Sequence, residues 1–117
     1  MYGYQSVSIS SGATDGGAGA STNNNTSGHV VVGQICSIGV TYNGSPPAST
    51  DLVIATAGNN GPALTILTLT NANSNGWFHV RHVVDNNAGA DIEYADGFSV
   101  YDKVCIADNI KITVSQA

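Results

Sequence analysis

His79 and His82 stand three residues apart, a spacing that suits metal chelation on a helix. Their surroundings, WFHVRHVV, read as a strand, and on a strand residues three apart point to opposite faces. The two therefore cannot chelate one ion together, and a metal role would need His29 or Asp85 to approach across strands. Surface or interface hydrogen bonding is the role we expect, with no metal. Asp91, Glu93 and Asp96, in DIEYADG, resemble a calcium loop. The third carboxylate comes one residue late for the D-x-D-x-D-G spacing, so the reading is a solvated acidic turn capped by Asp96. A β-fold loop that holds Ca²⁺ with help from carbonyls is the alternative. No G-x-S-x-G elbow presents a serine, and nothing selects a catalytic pair of carboxylates. GGAGAS is not followed by Gly-Lys-Ser/Thr, so it is no phosphate loop. The chain is expected to be no enzyme, with no catalytic residue and no cofactor.

The elements that carry these residues read as strands. Residues 64–84, LTILTLTNANSNGWFHVRHVV, hold the only Trp and the only Arg. Leu67-Thr68-Leu69-Thr70 alternates apolar and polar, the period of a half-buried strand. Residues 71–76 are turn chemistry, and Trp77 starts a second strand. Strand, Asn/Gly turn and aromatic strand together predict a β-hairpin.

Further upstream, residues 4–10 predict a first strand, with Val7 and Ile9 on one face. Residues 11–28, SGATDGGAGASTNNNTSG, predict a flexible loop or linker, because little burial offsets their ordering entropy. From His29 to Tyr42 the alternation predicts one long strand, in which Gly33 and Gly39 mark a bulge, a bend or a close approach. NGSPPAS and AGNNGP read as turns around Leu52-Val53-Ile54-Ala55, which suits a central strand. Residues 85–89 are turn-like, residues 92–94 a short strand and Asp96-Gly97 a tight turn. At the C-terminus Val104 and Ile106, then Ile110, Ile112 and Val114, alternate with polar residues, and Asp108-Asn109 separates the two runs.

Seven to nine short strands at a spacing of about 8–12 residues predict an all-β protein: a single compact β-sandwich or jelly-roll-like barrel with an N-terminal arm. The division is residues 1–28 for arm and linker and 29–117 for the β domain. A chain of 117 residues can bury about two-thirds of its unfolded surface, so a core needs no staples.

Charge narrows the partners. The formal net charge is −5, with only three strong cations, Arg81, Lys103 and Lys111. Three cations cannot build a phosphate-binding patch, so no nucleic acid is expected. Charged residues make up only 9% of the chain, and the rest of the polar content is Thr, Asn, Ser and Gly. Such a surface is easily buried against another protein, because no ion must be desolvated. We expect an assembled protein. No apolar run approaches the ~20 residues that span a bilayer, so no membrane partner is expected, and MYGYQSVSIS shows no export signal. Two cysteines are too few for a disulfide framework. Cys36 shares its strand face with Val32, Ile38 and Val40 and reads as a small core hydrophobe. A Cys36–Cys105 bridge is possible if their strands are neighbours; free buried thiols are the preferred reading.

Trp77 and Phe78 are adjacent, so on a strand one enters the core and the other meets a partner, a loop or solvent. By parity Trp77, His79 and Arg81 form one stripe. Trp and Arg are enriched at binding hot spots, so the stripe reads as interface, with core packing the alternative for Trp77. Tyr2, Tyr4, Val7 and Ile9, on an arm suited to strand addition, complete the expected interface.

The stretch TILTLTNANSNGWFHVRHVVDNNAGADIEY and the terminal VYDKVCIADNIKITVSQA resemble small structural proteins of tailed-phage head gene clusters, the cement or decoration proteins. The resemblance covers roughly residues 29–117. Its most specific pieces are T-N-x-N-x-x-G-W-F-x-x-R and A-D-x-I-K-I-T-V. Residues 11–28 have no counterpart. The resemblance implies a virion protein on the outer capsid surface, made in the bacterial host cytoplasm. It implies a major capsid protein of HK97 type as partner, neighbouring subunits of which the chain would bridge; we expect it to do so as a homodimer or homotrimer. The alternative is a tail or fibre module that binds host-surface glycans.

Overall fold

The computed structural model describes residues 6–11, 23–42, 44 and 46–116. The described residues form twelve strands and no helix, so the fold is all-β. The strands are β1 (Asn23–Thr26), β2 (Val31–Gln34), β3 (Ile38–Val40), β4 (Asp51–Thr56), β5 (Thr65–Leu69) and β6 (Gly76–Phe78). They continue as β7 (Arg81–Val83), β8 (Glu93–Ala95), β9 (Phe98–Ser99), β10 (Tyr101–Lys103), β11 (Cys105–Asp108) and β12 (Ile110–Ser115).

Every ladder is antiparallel, and the pairs nest like brackets. β1 pairs with β12 and β2 with β11, making an outer ribbon from the two ends of the body. Inside it lie two further ribbons. In one, β3 pairs with β6 around the β4–β5 hairpin. In the other, β7 pairs with β10 around the β8–β9 hairpin. One further ladder, β4 on β12, joins the first inner ribbon to the outer one and completes a four-stranded sheet of order β1-β12-β4-β5.

β4 is the interior strand that its apolar run predicts. Its residues alternate strictly, with Leu52, Ile54 and Thr56 buried and Asp51, Val53 and Ala55 half-buried. Leu52 and Ile54 are joined in the core by Val104 and Ile106, and these four are the buried hydrophobic side chains among the described residues. Burying each is worth about 1.5–3 kcal/mol. Among the described residues the four buried polar ones, Ser27, Thr50, Thr56 and Asp108, are bonded. Leu64 N–H donates to Thr56 Oγ1 at 2.7 Å, Ile110 N–H to Ser27 Oγ at 3.0 Å, and Thr50 Oγ1 donates to the Pro47 carbonyl at 2.7 Å. Asp108, 4% exposed, accepts from the backbone N–H groups of Gly58, Asn59 and Asn109 and so clamps the turn after β4 to the end of β11.

Four local expectations are corrected. The long strand from His29 to Tyr42 is two strands with different partners, β2 on β11 and β3 on β6. Gly33 takes φ +143°, a backbone state open to a residue without Cβ, and the ladder ends one bond later, where Ile35 N–H reaches the Val104 carbonyl. The predicted hairpin across residues 64–84 does not form: β5 pairs back onto β4 and β6 onto β3. The turn-like residues between them are instead bonded to other segments. Asn71 N–H donates to Asp51 Oδ1, Ala72 N–H to the Thr50 carbonyl, and Tyr42 N–H to Asn75 Oδ1. The linker reading of residues 11–28 fails at its C-terminal end, because Asn23–Thr26 is an edge strand of the main sheet. Its polar sequence has no apolar period, and the ladder to β12 supplies the pairing. Finally, residues 6–10 of the predicted first strand are not a strand; the Ser10 carbonyl accepts from Asn25 Nδ2 at 2.7 Å. No helix is long and apolar enough to cross a membrane among the described residues.

Candidate docking surface

The second inner ribbon leaves its large side chains in solvent. Asp96 and Gly97 form its tip, with Gly97 at φ +78° where a Cβ is strained. Glu93 pairs with Ser99 and Ala95 with Phe98, so two steps along β8 match one along β9. Tyr94 is the extra residue of this bulge, and a bulge re-aims its side chain. The Tyr94 ring meets that of Phe98 with centroids 5.9 Å apart, tilted by 32°. Tyr94 is 73% exposed, Phe98 59% and Tyr101 60%. Together with Gly97, Ser99 and Val100 they line an open depression of about 490 Å³. At the base of the ribbon, Asn86 Oδ1 accepts the N–H groups of Ala88 and Ala90, which sets the turn predicted for residues 85–89.

A second aromatic site lies on β6. Gly39 is the Cα partner of Trp77, and a Cβ built on Gly39 would lie 2.9 Å from the indole ring. The glycine is thus the close approach that the sequence predicts. Trp77 is 74% exposed, whereas Phe78 is half-buried, so parity sends Phe78 inward and Trp77 outward. His79 and Arg81 are exposed as well. His79 Nδ1 lies 3.4 Å from the Cys36 carbonyl, and Arg81 Nη1 donates to the Val80 carbonyl at 2.8 Å. His82 sits on β7 opposite Asp102, His79 lies between β6 and β7 outside both strands, and Arg81 sits opposite Lys103. Among the described residues no group of three His, Cys, Asp or Glu side chains is arranged to hold a metal ion.

The N-terminal part of the expected interface divides. Val7 and Ile9 are half-buried. Tyr2 and Tyr4 lie outside the described residues.

Cys36 and Cys105 are free, and both are exposed, which corrects the expectation of buried thiols. Cys36 falls in the break between β2 and β3, so the strand face that would have buried it with Ile38 and Val40 is interrupted before it. On β11 the inward residues are Ile106 and Asp108, which turns Cys105 outward. Tyr42 has the opposite problem. Its hydroxyl is buried without a hydrogen-bond partner, and burial raises its pKa above the usual tyrosine value.

Sequence reasoning finds Trp77 and misses Tyr94, Phe98 and Tyr101 as a surface. A signal is present: an Asp-Gly turn with aromatic residues close on both sides. Comparison with protein-family models, with curated proteins and with solved structures finds no match.

Proposed function

We propose that this protein is a structural subunit that docks on the outer surface of a bacteriophage capsid and bridges neighbouring major capsid subunits of HK97 type. One observation carries the reading. The chain exposes two aromatic sites, Trp77 on one inner ribbon and Tyr94, Phe98 and Tyr101 on the other, while four apolar side chains are buried among the described residues. A clamp needs two such anchors, one per neighbour. Holding both neighbours raises the effective concentration of the second contact, so each contact can be modest. The sparsely charged exterior lowers the desolvation cost of covering it. The resemblance of residues 29–117 to cement proteins supplies the identity of the shell, and self-association as a dimer or trimer belongs to the same proposal.

Co-sedimentation with empty capsids tests it. The wild-type chain should pellet with shells and raise their melting temperature. Trp77→Ala and Phe98→Ala, singly, should each lower occupancy, and together abolish it. A chain that stays in the supernatant at micromolar concentration refutes the proposal.

A second reading has one observation in its favour. An open depression lined by tyrosine and phenylalanine is a surface on which sugar rings stack, as a tail or fibre module binding host glycans would require. Retention on a glycan array, without capsid binding, selects that reading.

A further inference from the structure

The net charge of this protein is not spread over its sequence. Five of its eight acids, Asp85, Asp91, Glu93, Asp96 and Asp102, fall within residues 85–102. The other three, Asp15, Asp51 and Asp108, are balanced in number by Arg81, Lys103 and Lys111. Residues 85–102 therefore carry five formal negative charges and no strong cation, on the ribbon that also carries Tyr94, Phe98 and Tyr101; Arg81 and Lys103 face each other at its far end. All five carboxylates are exposed. Residues 82–102 contain no Lys or Arg.

The placement is also unfavourable for the free chain. Asp85 and Asp91 are direct partners across an isolated bridge, and like charges opposite one another destabilise a ladder. Glu93 lies two residues further along the same strand direction. An approaching cation relieves this repulsion. The aromatic side chains suit the same visitor, since arginine stacks its planar guanidinium on ring faces while it pairs with carboxylates. Other occupants fit less well. A second copy applied through this same hairpin would bring its exposed carboxylates toward their own copies, like charge against like. A neutral ligand would leave the charge uncompensated.

We propose that the β8–β9 ribbon, which exposes Tyr94, Phe98 and Tyr101 and, on the same hairpin, the carboxylates of Asp91, Glu93 and Asp96, docks an arginine-bearing loop or strand of a different protein. The inference goes beyond the capsid reading and holds for any assembly that the chain joins.

The test is amide NMR on the full chain, titrated with acetyl-(Arg-Thr)₃-amide and, separately, with acetyl-(Glu-Thr)₃-amide. The arginine peptide should shift amides of residues 91–101, and the glutamate peptide should not. Phe98→Ala should weaken the arginine peptide about two- to fivefold, the loss expected of one exposed cation–π contact. Glu93→Gln/Asp96→Asn, which leaves every ring in place, should weaken it by a similar factor and flatten its salt dependence. Equal response to the two peptides overturns the proposal, as do shifts centred on Trp77 or no shifts at all. Shifts produced by cellohexaose but not by the arginine peptide overturn it in favour of a glycan. Concentration-dependent broadening of the same amides without peptide overturns it in favour of self-association.

Discussion

Trp77 lies over Gly39, its β-ladder partner, with the outer edge of the indole where a Cβ would otherwise stand. The contact explains how a tryptophan can be three-quarters exposed and still held in one place. Two flat surfaces, a ring and a bare backbone, meet across β3 and β6, and the other ring face is left to solvent.

Gly39→Ala should therefore act on the ring more than on the fold. The atoms that a new methyl meets are the far end of an exposed side chain, which can swing away. We expect a stability loss of less than about 1.5 kcal/mol, at the mild end of single substitutions. Acrylamide quenching of the single tryptophan should rise, because its protected face opens. A stability loss of several kcal/mol would mean that backbone, not the ring, had to move.

Asp108 is a better place to break the fold. Its carboxylate accepts three backbone N–H groups and ties the turn after β4 to the β11–β12 junction. Asp108→Ala leaves those donors part-buried and unmatched, at a cost of about 3 kcal/mol. Asp108→Asn keeps one acceptor oxygen and should fall between. Urea denaturation of the three proteins gives the order directly, and equal midpoints would contradict the clamp.

Tyr42 yields a prediction with pH. Burial raises its folded pKa above the unfolded value of 10.0, so in the folded chain the neutral form is held more tightly. Below pH 10 both states are protonated and pH has no effect through this group. As pH rises from there through the folded pKa, the unfolded chain ionises first, and stability is lost. Tyr42→Phe should remove that part of the alkaline loss. At about pH 7 it should be neutral or slightly stabilising, because the hydroxyl it deletes has no partner. Thermal melts of both proteins at neutral pH and above the unfolded pKa separate the two effects.

The thiols offer a chemical check on the outer faces. With Cys36 and Cys105 both exposed and free, a thiol-disulfide indicator should titrate two groups per chain without denaturant. A single slow phase that appears only on unfolding would show instead that both thiols are covered.

How much of the fold is legible in the sequence follows from range. Local period and turn chemistry act within a few residues, so β4, the β12 alternation and the Asp96-Gly97 turn are readable from the residues alone. Pairing is not local. The Asn71–Gly76 stretch has every mark of a hairpin turn, yet Asn71 and Ala72 are bonded to Asp51 and Thr50, and β5 and β6 part company. Likewise Asn23–Thr26 carries no apolar residue and becomes a strand only because β12 has a free edge for it. For the candidate surface, Trp77 is legible from parity alone. Tyr94 is not, because a bulge breaks the parity that would have assigned its face.

The placement of the core makes the last prediction. Ile54 is 7% exposed on the interior strand, between Ile112 and Leu67 in the ladder, whereas Val32 on β2 is 72% exposed. Both belong to apolar runs, and composition does not tell them apart. Ile54→Ala removes buried methyl and methylene groups and opens a void, which costs about 2–5 kcal/mol. Val32→Ala deletes groups already in water and should change stability by less than about 0.5 kcal/mol. Chemical denaturation of the pair therefore separates the core position on β4 from the outer face of β2. Equal losses would show that β2 is covered in solution, as it would be if another copy of the chain packed against its outer face.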